Sequence, residues 1–226
     1  MSTSKPQVID AKTLLKIVGG IALLLPFVLL AFAFLLKDTE VFRPSISDYF
    51  YSKVNVVFIG CMCSVSMFFF AYIGYDLDDD EKSSGRFLGR LHDRDLATII
   101  AVLSAFVAIF PTTPLYPDSA DKIIAGVHFT SAALFLLLLA YMSINRFTKT
   151  SKNSNYVTTG KKRSRNKWYK ILGWVMVASV LVMAAFFVFT GEGQFTHVVF
   201  IGETVCLLAF GTAWVIKGEL FLKDDE

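Results

Sequence analysis

The sequence is poor in the residues that define disulfide-rich and metal-binding proteins. It contains three cysteines and three histidines among 226 residues. Cys61, Cys63 and Cys206 all lie inside apolar runs, so we expect buried thiols and no disulfide framework. Cys61 and Cys63 are about 200° apart on a helix, which disfavours a metal ion shared between them.

The motifs of several common soluble enzymes are also missing. The chain has no glycine-rich phosphate-binding loop and no GxSxG nucleophile elbow. A basic stretch, residues 146–170, is not accompanied by an aromatic-interleaved module, so no nucleic-acid partner is predicted. These absences leave nucleotide-dependent and serine-hydrolase functions without support.

Apolar residues are what the sequence has in excess. They make up 54% of the chain, with 22 phenylalanines, which is too apolar for a water-soluble domain of this size. The first apolar run lacks a cleavage site of small residues, so we expect it to remain as a helix. The pattern predicts an all-α polytopic membrane protein, a six-transmembrane-helix bundle forming one integral membrane domain over residues 1–226. The spans are expected near residues 14–36, 54–75, 96–110, 123–144, 171–189 and 195–216.

The distribution of positive charge predicts the orientation. Eighteen Lys and Arg residues lie in the two termini and two of the connecting segments, whereas the other segments hold four. Because positive charge resists translocation, both termini are expected to be cytoplasmic. The basic loop 146–170 is explained by this signal alone, with contact to anionic lipid headgroups as the alternative.

One carboxylate lies deep in a predicted span. Glu203 is roughly 12 Å below the outer edge of the last run, and a charge facing lipid there costs at least about 3 kcal/mol, so we expect it to face the bundle interior. His128 lies at a similar depth in the fourth run, which has the same direction. We therefore expect His128 and Glu203 to meet if these helices are neighbours, with Ser131 and Asn55 nearby. A structural hydrogen bond between helices is the alternative.

The polar segment "RPSISDYFYSK", residues 43–53, precedes the second span. One interpretation is an interfacial helix, capped by Ser45 or Ser47, with its tyrosines at headgroup level. The other is a lid that completes the outward pocket with Asp48. In the "FPTTPLYPDSAD" turn, Asp118 and Asp121 are expected to stabilise the start of the following helix.

The stretches "SISDYFYS", "AYIGYD", "AIFPTTP", "GVHFTSAALF" and "WVIKGE" resemble a group of bacterial six-span membrane proteins of unassigned function. In outline the chain is more distantly similar to the superfamily of alkaline ceramidases and progestin and adipoQ receptors. That resemblance implies an intramembrane zinc site with Ser-x-x-x-His and His-x-x-x-His motifs. Here Ile201 stands four residues after His197, and neither His92 nor His128 completes the first motif.

The sequence therefore predicts a protein of the bacterial cytoplasmic membrane with an outward-facing polar pocket. The pocket is expected to bind or conduct a proton, ion or small ligand, without a cofactor. One alternative is a ceramidase-like lipid hydrolase with zinc held by His128, Glu203 and Asp48. Another is a structural or oligomerising subunit, including a homo-oligomer. A haem between His128 and His197 has less support, because no second histidine pair exists.

Overall fold

The computed structural model describes residues 10–74, 91–149, 160–190 and 197–221. The acidic run 76–82 and residues 150–159 of the basic loop lie outside these ranges. The described part is helical and has no strands, so the predicted all-α class is confirmed. Its α-helices are α1 (Ala11–Leu35), α2 (Asn55–Ala71), α3 (Asp93–Ile109), α4 (Ser119–Tyr141), α5 (Gly160–Thr190) and α6 (Val198–Lys217).

Four helices are long and apolar enough to cross a membrane. They are α1, α5, α6, and α4 together with the π-helical turn Met142–Arg146 that extends it. Helices α2 and α3 have 17 residues each. At 1.5 Å per residue each spans about 26 Å, slightly less than a hydrocarbon core of about 30 Å. The chain is thus a helical membrane protein, and within its described residues four helices by themselves satisfy the length requirement.

The helices form a closed ring. Each packs against the next one in the chain, and α6 returns to pack against α1. Helices α4 and α6 have little direct contact and face each other across the centre of the ring, and α5 packs against both. This order decides which side chains can meet in the centre of the ring.

The backbones of α1 and α6 come into direct contact at two glycines. A Cβ atom on Gly19 would lie 2.8 Å from the Gly211 carbonyl oxygen, and one on Gly211 would lie 2.7 Å from the Gly19 carbonyl oxygen. Side chains at these positions would force the helices apart, since the obstructing atoms belong to the backbone. Small residues therefore set the spacing of this helix pair.

Serine side chains join helices elsewhere in the ring. Ser66 Oγ donates to the Ala101 carbonyl at 2.8 Å, and Ser104 Oγ donates to the Met62 carbonyl at 2.9 Å, so α2 and α3 are bonded in both directions.

At the start of α4, Asp118 and Asp121 each accept a backbone N–H from the other, forming a capping box. The expected stabilisation of this helix start is confirmed.

A buried ion pair that sequence reasoning missed joins α3 to the π-helical turn. Arg146 Nε lies 3.4 Å from Asp93 Oδ1, and both side chains are 1% exposed. Arg146 Nη2 also donates to the Leu91 carbonyl at 2.7 Å. The signal was present in the sequence as an Asp at the start of one apolar run and an Arg at the end of the next.

The connecting segments collect at opposite ends of the bundle. At one end, Tyr51 OH donates to the Thr112 carbonyl at 2.7 Å, which joins segment 43–53 to the α3–α4 turn. At the other end, Lys12 Nζ lies 2.6 Å from Glu219 Oε2, which joins the start of α1 to the residues after α6. The described basic residues Lys149, Lys162 and Arg165 lie at this second end as well.

Candidate functional site

Glu203 lines a small cavity in the centre of the ring. Its volume is about 40 Å³, and α1, α2, α3, α4, α6 and segment 43–53 all contribute to its wall. The carboxylate therefore faces the bundle interior and not the lipid. The remaining lining side chains are apolar or uncharged: Leu25, Ile46, Ser47, Phe58, Met62, Val107, Ala132, Phe135, Leu136 and Leu207.

Segment 43–53 supplies the hydrogen-bond donors to Glu203. The Ile46 backbone N–H donates to Glu203 Oε2 at 2.6 Å, and Ser47 Oγ donates to Oε1 at 3.4 Å. The first distance is short, as expected for a hydrogen bond to a charged acceptor, and the second is long and weak. The main partner of Glu203 is thus a backbone group, which no pattern of side chains in the sequence reveals.

The same segment also completes the start of α6. The first N–H groups of a helix have no acceptor within the helix, and the Phe200 N–H donates to the Pro44 carbonyl at 2.9 Å. Phe42 stacks on His197 with ring centroids 3.9 Å apart and contacts Phe200 edge to face. Segment 43–53 is therefore fixed along the first turns of α6, directly over Glu203.

Within this segment the only regular structure is a short 3₁₀ helix, Ser47–Tyr51. Ser45 Oγ accepts the Asp48 N–H at 3.0 Å, but the N-cap residue is Ile46 and has no side-chain capping hydrogen bond, so the expected cap by Ser45 or Ser47 is wrong. The expectation that both tyrosines lie at headgroup level is wrong for Tyr49. Its side chain is fully buried and its hydroxyl donates to the Val41 carbonyl at 2.6 Å, because the turn directs it into the core.

Asp38 anchors the start of this region and was also missed by sequence reasoning. Its carboxylate accepts the Lys53 N–H at 2.7 Å and the Glu40 N–H at 3.3 Å, and Arg43 Nη2 lies 3.1 Å away. Burial opposes ionisation of Asp38, but these donors outweigh burial and lower its pKa below the usual value. The only indication of this role in the sequence was a carboxylate that follows an apolar run and precedes an Arg by five residues.

Neither Asp48 nor Asn55 hydrogen-bonds to Glu203, although the Asp48 carboxylate is near enough to act on it electrostatically. Asp48 Oδ1 accepts a hydrogen bond from Thr112 Oγ1 at 2.8 Å, so its side chain turns toward the α3–α4 connection. Asn55 begins α2 and is half-buried, and no described residue hydrogen-bonds to its side chain. Asp48 instead helps to hold segment 43–53 against the neighbouring turn.

His128 has a different neighbourhood from Glu203. Its side chain is 1% exposed, and Nδ1 lies 2.6 Å from the Phe110 carbonyl oxygen at the end of α3. Its Nε2 is buried and has no hydrogen-bond partner among the described residues. Ser131, one turn further along α4, is also buried.

The expected meeting of His128 and Glu203 is not observed. In the described ranges no hydrogen bond or ion pair joins them, because α4 and α6 have little direct contact and each side chain is bonded elsewhere, Glu203 to segment 43–53 and His128 to the Phe110 carbonyl. Asp48 is hydrogen-bonded to Thr112 and acts on both side chains only electrostatically. Within residues 10–74, 91–149, 160–190 and 197–221, no three His, Cys, Asp or Glu side chains are grouped so that they could hold a metal ion.

No protein-family model, curated protein or solved structure matches the chain. The resemblances to bacterial six-span proteins and to the ceramidase and receptor superfamily therefore stay predictions, as does the zinc alternative.

Proposed function

We propose that all six helices span the membrane and that both termini are cytoplasmic, in a bacterial cytoplasmic membrane. The excess of Lys and Arg at the Lys12 end of the bundle supports this orientation, as does the alternation of connecting segments between the two ends. Helices α2 and α3 are short by only a few ångströms, a mismatch that local thinning of the bilayer accommodates. In this orientation segment 43–53 lies on the non-cytoplasmic side.

In this arrangement Glu203 takes up a proton or a small cation from the non-cytoplasmic side. The observation that carries this proposal is the cavity wall, because Glu203 alone among its described lining residues is charged. A carboxylate in a bundle interior is expensive to maintain and is a common mark of an ion or proton pathway. Its donors come from Ile46 and Ser47 and are uncharged.

The size of the cavity favours a proton or small cation over an organic ligand. A volume of about 40 Å³ accommodates a water molecule or a bare monovalent ion. Pockets for drug-sized molecules are usually about 300–1,000 Å³. A lipid amide or ester at Glu203 would require the helices to separate, so the cavity gives the hydrolase alternative no support.

Segment 43–53 would couple occupancy of Glu203 to access. A hydrogen bond from Ile46 N–H to a carboxylate is roughly twice as strong as one to a neutral carboxyl group. Protonation, or a cation that competes for Oε2, therefore weakens the contact between the segment and the carboxylate that it covers. Binding of a proton or cation to Glu203 would loosen segment 43–53 over the cavity, and release of the proton or cation would restore the contact.

The test is ion flux into liposomes containing the purified protein, driven by a step in pH or in Na⁺ concentration. We expect flux through the wild-type protein that is lost in Glu203→Gln, which keeps an acceptor for Ile46 N–H but not the charge. Glu40→Gln is the matched control, because it removes an acidic charge from the half-exposed Glu40 in the same region. Equal flux in the wild type and Glu203→Gln would refute the proposal.

A purely structural role is the second candidate, and the reciprocal serine hydrogen bonds between α2 and α3 show that polar groups do join helices here. Under that role, Glu203→Gln would change the unfolding temperature but no flux would be seen in any variant. The liposome assay combined with thermal unfolding of the same samples separates the two functions.

A further inference from the structure

The Lys12 end of the bundle contains a second and much larger cavity. Its volume is about 340 Å³, and it is formed where four parts of the chain meet: the start of α1, the residues that follow the π-helical turn, the start of α5 and the end of α6. This cavity shares no lining residue with the Glu203 cavity. We refer to it as the basic cavity.

Cations dominate its wall. Five basic side chains line it, against the two carboxylates of Asp10 and Glu219; the basic residues are Lys12, Lys149, Lys162, Arg165 and Lys217. One carboxylate is already engaged, since Glu219 forms the 2.6 Å ion pair with Lys12. Lys217 also lies over the Phe147 ring, with Nζ 5.6 Å from its centroid, which fixes it at the cavity wall. Among the described lining residues, the cations thus outnumber the carboxylates.

The position of the basic cavity along the bundle indicates where its ligand comes from. Lys12 and Lys217 are the end residues of the membrane-spanning stretches Lys12–Leu35 and Val198–Lys217. The cavity therefore lies at the level where a bilayer places its headgroups. Basic pockets between helices at this level are suited to phosphate-bearing lipid headgroups.

The volume agrees with such a ligand. About 340 Å³ is within the range of small-molecule sites, so a phosphate with its glycerol or sugar substituent fits, whereas a single ion would be loosely held. Arg165 can bind two phosphate oxygens at once, and the lysines act as point charges around it. Asn166, held by its bond to the Thr148 carbonyl, adds an uncharged polar group to the wall.

We propose that the basic cavity binds a phosphate group, carried by an anionic lipid headgroup of the adjacent leaflet. This inference does not depend on the function of Glu203, because it uses only the membrane spans and the cavity at their ends. It also goes beyond the attraction of the loop 146–170 to lipid, since Lys12 and Lys217 lie outside that loop and complete the site.

The experiment measures binding of short-chain phosphatidylglycerol to the full-length protein in neutral detergent by native mass spectrometry. Lys162→Gln/Arg165→Gln removes two cavity cations. Arg163→Gln/Lys167→Gln is the matched control, because it makes the same two changes at exposed positions of the same helix. We expect about 30-fold weaker binding in the cavity variant, from the usual contribution of each cation near a headgroup, and little change in the control.

Two further arms complete the test. Lys149→Gln is a milder single change that replaces the double variant if that variant does not fold. It should weaken binding about five-fold. Phosphatidylcholine and inorganic phosphate are measured in parallel. Preference for phosphatidylglycerol identifies the lipid as the source, and equally tight, cavity-dependent binding of inorganic phosphate identifies a soluble phosphate instead. Binding that is the same in cavity and control variants would overturn the proposal.

Discussion

The contact between α1 and α6 makes a sharp prediction about two adjacent glycines. A Cβ on Gly19 would lie 2.7 Å from Val215 Cγ2, 2.8 Å from the Gly211 carbonyl oxygen and 3.1 Å from the Val215 nitrogen. Two of these atoms belong to the α6 backbone, so the strain cannot be relieved by a side-chain rotation. A Cβ on Gly20 would meet nothing within 4 Å.

Gly19→Ala should therefore destabilise the protein, whereas Gly20→Ala should not. Overpacking costs about 1–3 kcal/mol. The better helix propensity of alanine offsets up to about 1 kcal/mol of this overpacking cost at Gly19. At Gly20 there is no overpacking cost, so the same propensity should stabilise the helix. If 1 kcal/mol shifts the unfolding temperature of a protein of this size by about 2–4 °C, Gly19→Ala should unfold several degrees below Gly20→Ala.

The assay is thermal unfolding of both variants in the same detergent. Gly211→Ala should reproduce the loss, because its Cβ would meet the Gly19 carbonyl from the other side. The double variant Gly19→Ala/Gly211→Ala should lose less than the sum of the two, because both substitutions open the same contact. Equal stability of Gly19→Ala and Gly20→Ala would refute the close approach of α1 and α6.

Two other predictions concern the charges that sequence reasoning missed. Arg146→Met removes the cation beside the buried Asp93 carboxylate and should lower the free energy of unfolding, measured by thermal unfolding, by about 3–5 kcal/mol. The double variant Asp93→Asn/Arg146→Met should recover part of this loss. If the losses of the two single variants simply added in the double variant, the pairing would be contradicted. The Asp38 carboxylate, whose native pKa is lowered, stabilises the fold above its unfolded pKa of about 3.9 and loses this contribution as pH falls through its lower native pKa. The free energy of unfolding of the wild type should therefore exceed that of Asp38→Asn by a smaller amount below about pH 4. A difference that is constant from pH 3 to 7 would refute this role of the Asp38 carboxylate.

The helices were predictable because their apolar lengths are local properties. The run 195–216 and α6 (Val198–Lys217) agree closely, and so do the run 14–36 and α1. Helix α5 begins at Gly160 and not at residue 171, because the basic stretch before the apolar run continues the helix outside the hydrocarbon. Hydropathy detects only the part of a helix that lies in lipid.

The candidate site was predictable only in part, for a physical reason. The interior orientation of Glu203 follows from the cost of a charge in lipid, and the structure places Glu203 at the central cavity. Its partner depends on which helices are neighbours and on the course of segment 43–53. Helices α4 and α6 have little direct contact; His128 bonds to the Phe110 carbonyl, and the Ile46 backbone N–H takes the place expected for the imidazole.

The proposed role of Glu203 is tested most directly by hydrogen exchange at the Ile46 amide, the group that donates to Glu203 Oε2 at 2.6 Å. After correction for the intrinsic exchange rate, its protection should fall on acidification in the wild type and in Glu40→Gln, because protonation of Glu203 weakens the bond. In Glu203→Gln, which cannot change charge, protection should not depend on pH. The same pH dependence in all three proteins would contradict the coupling between Glu203 and segment 43–53.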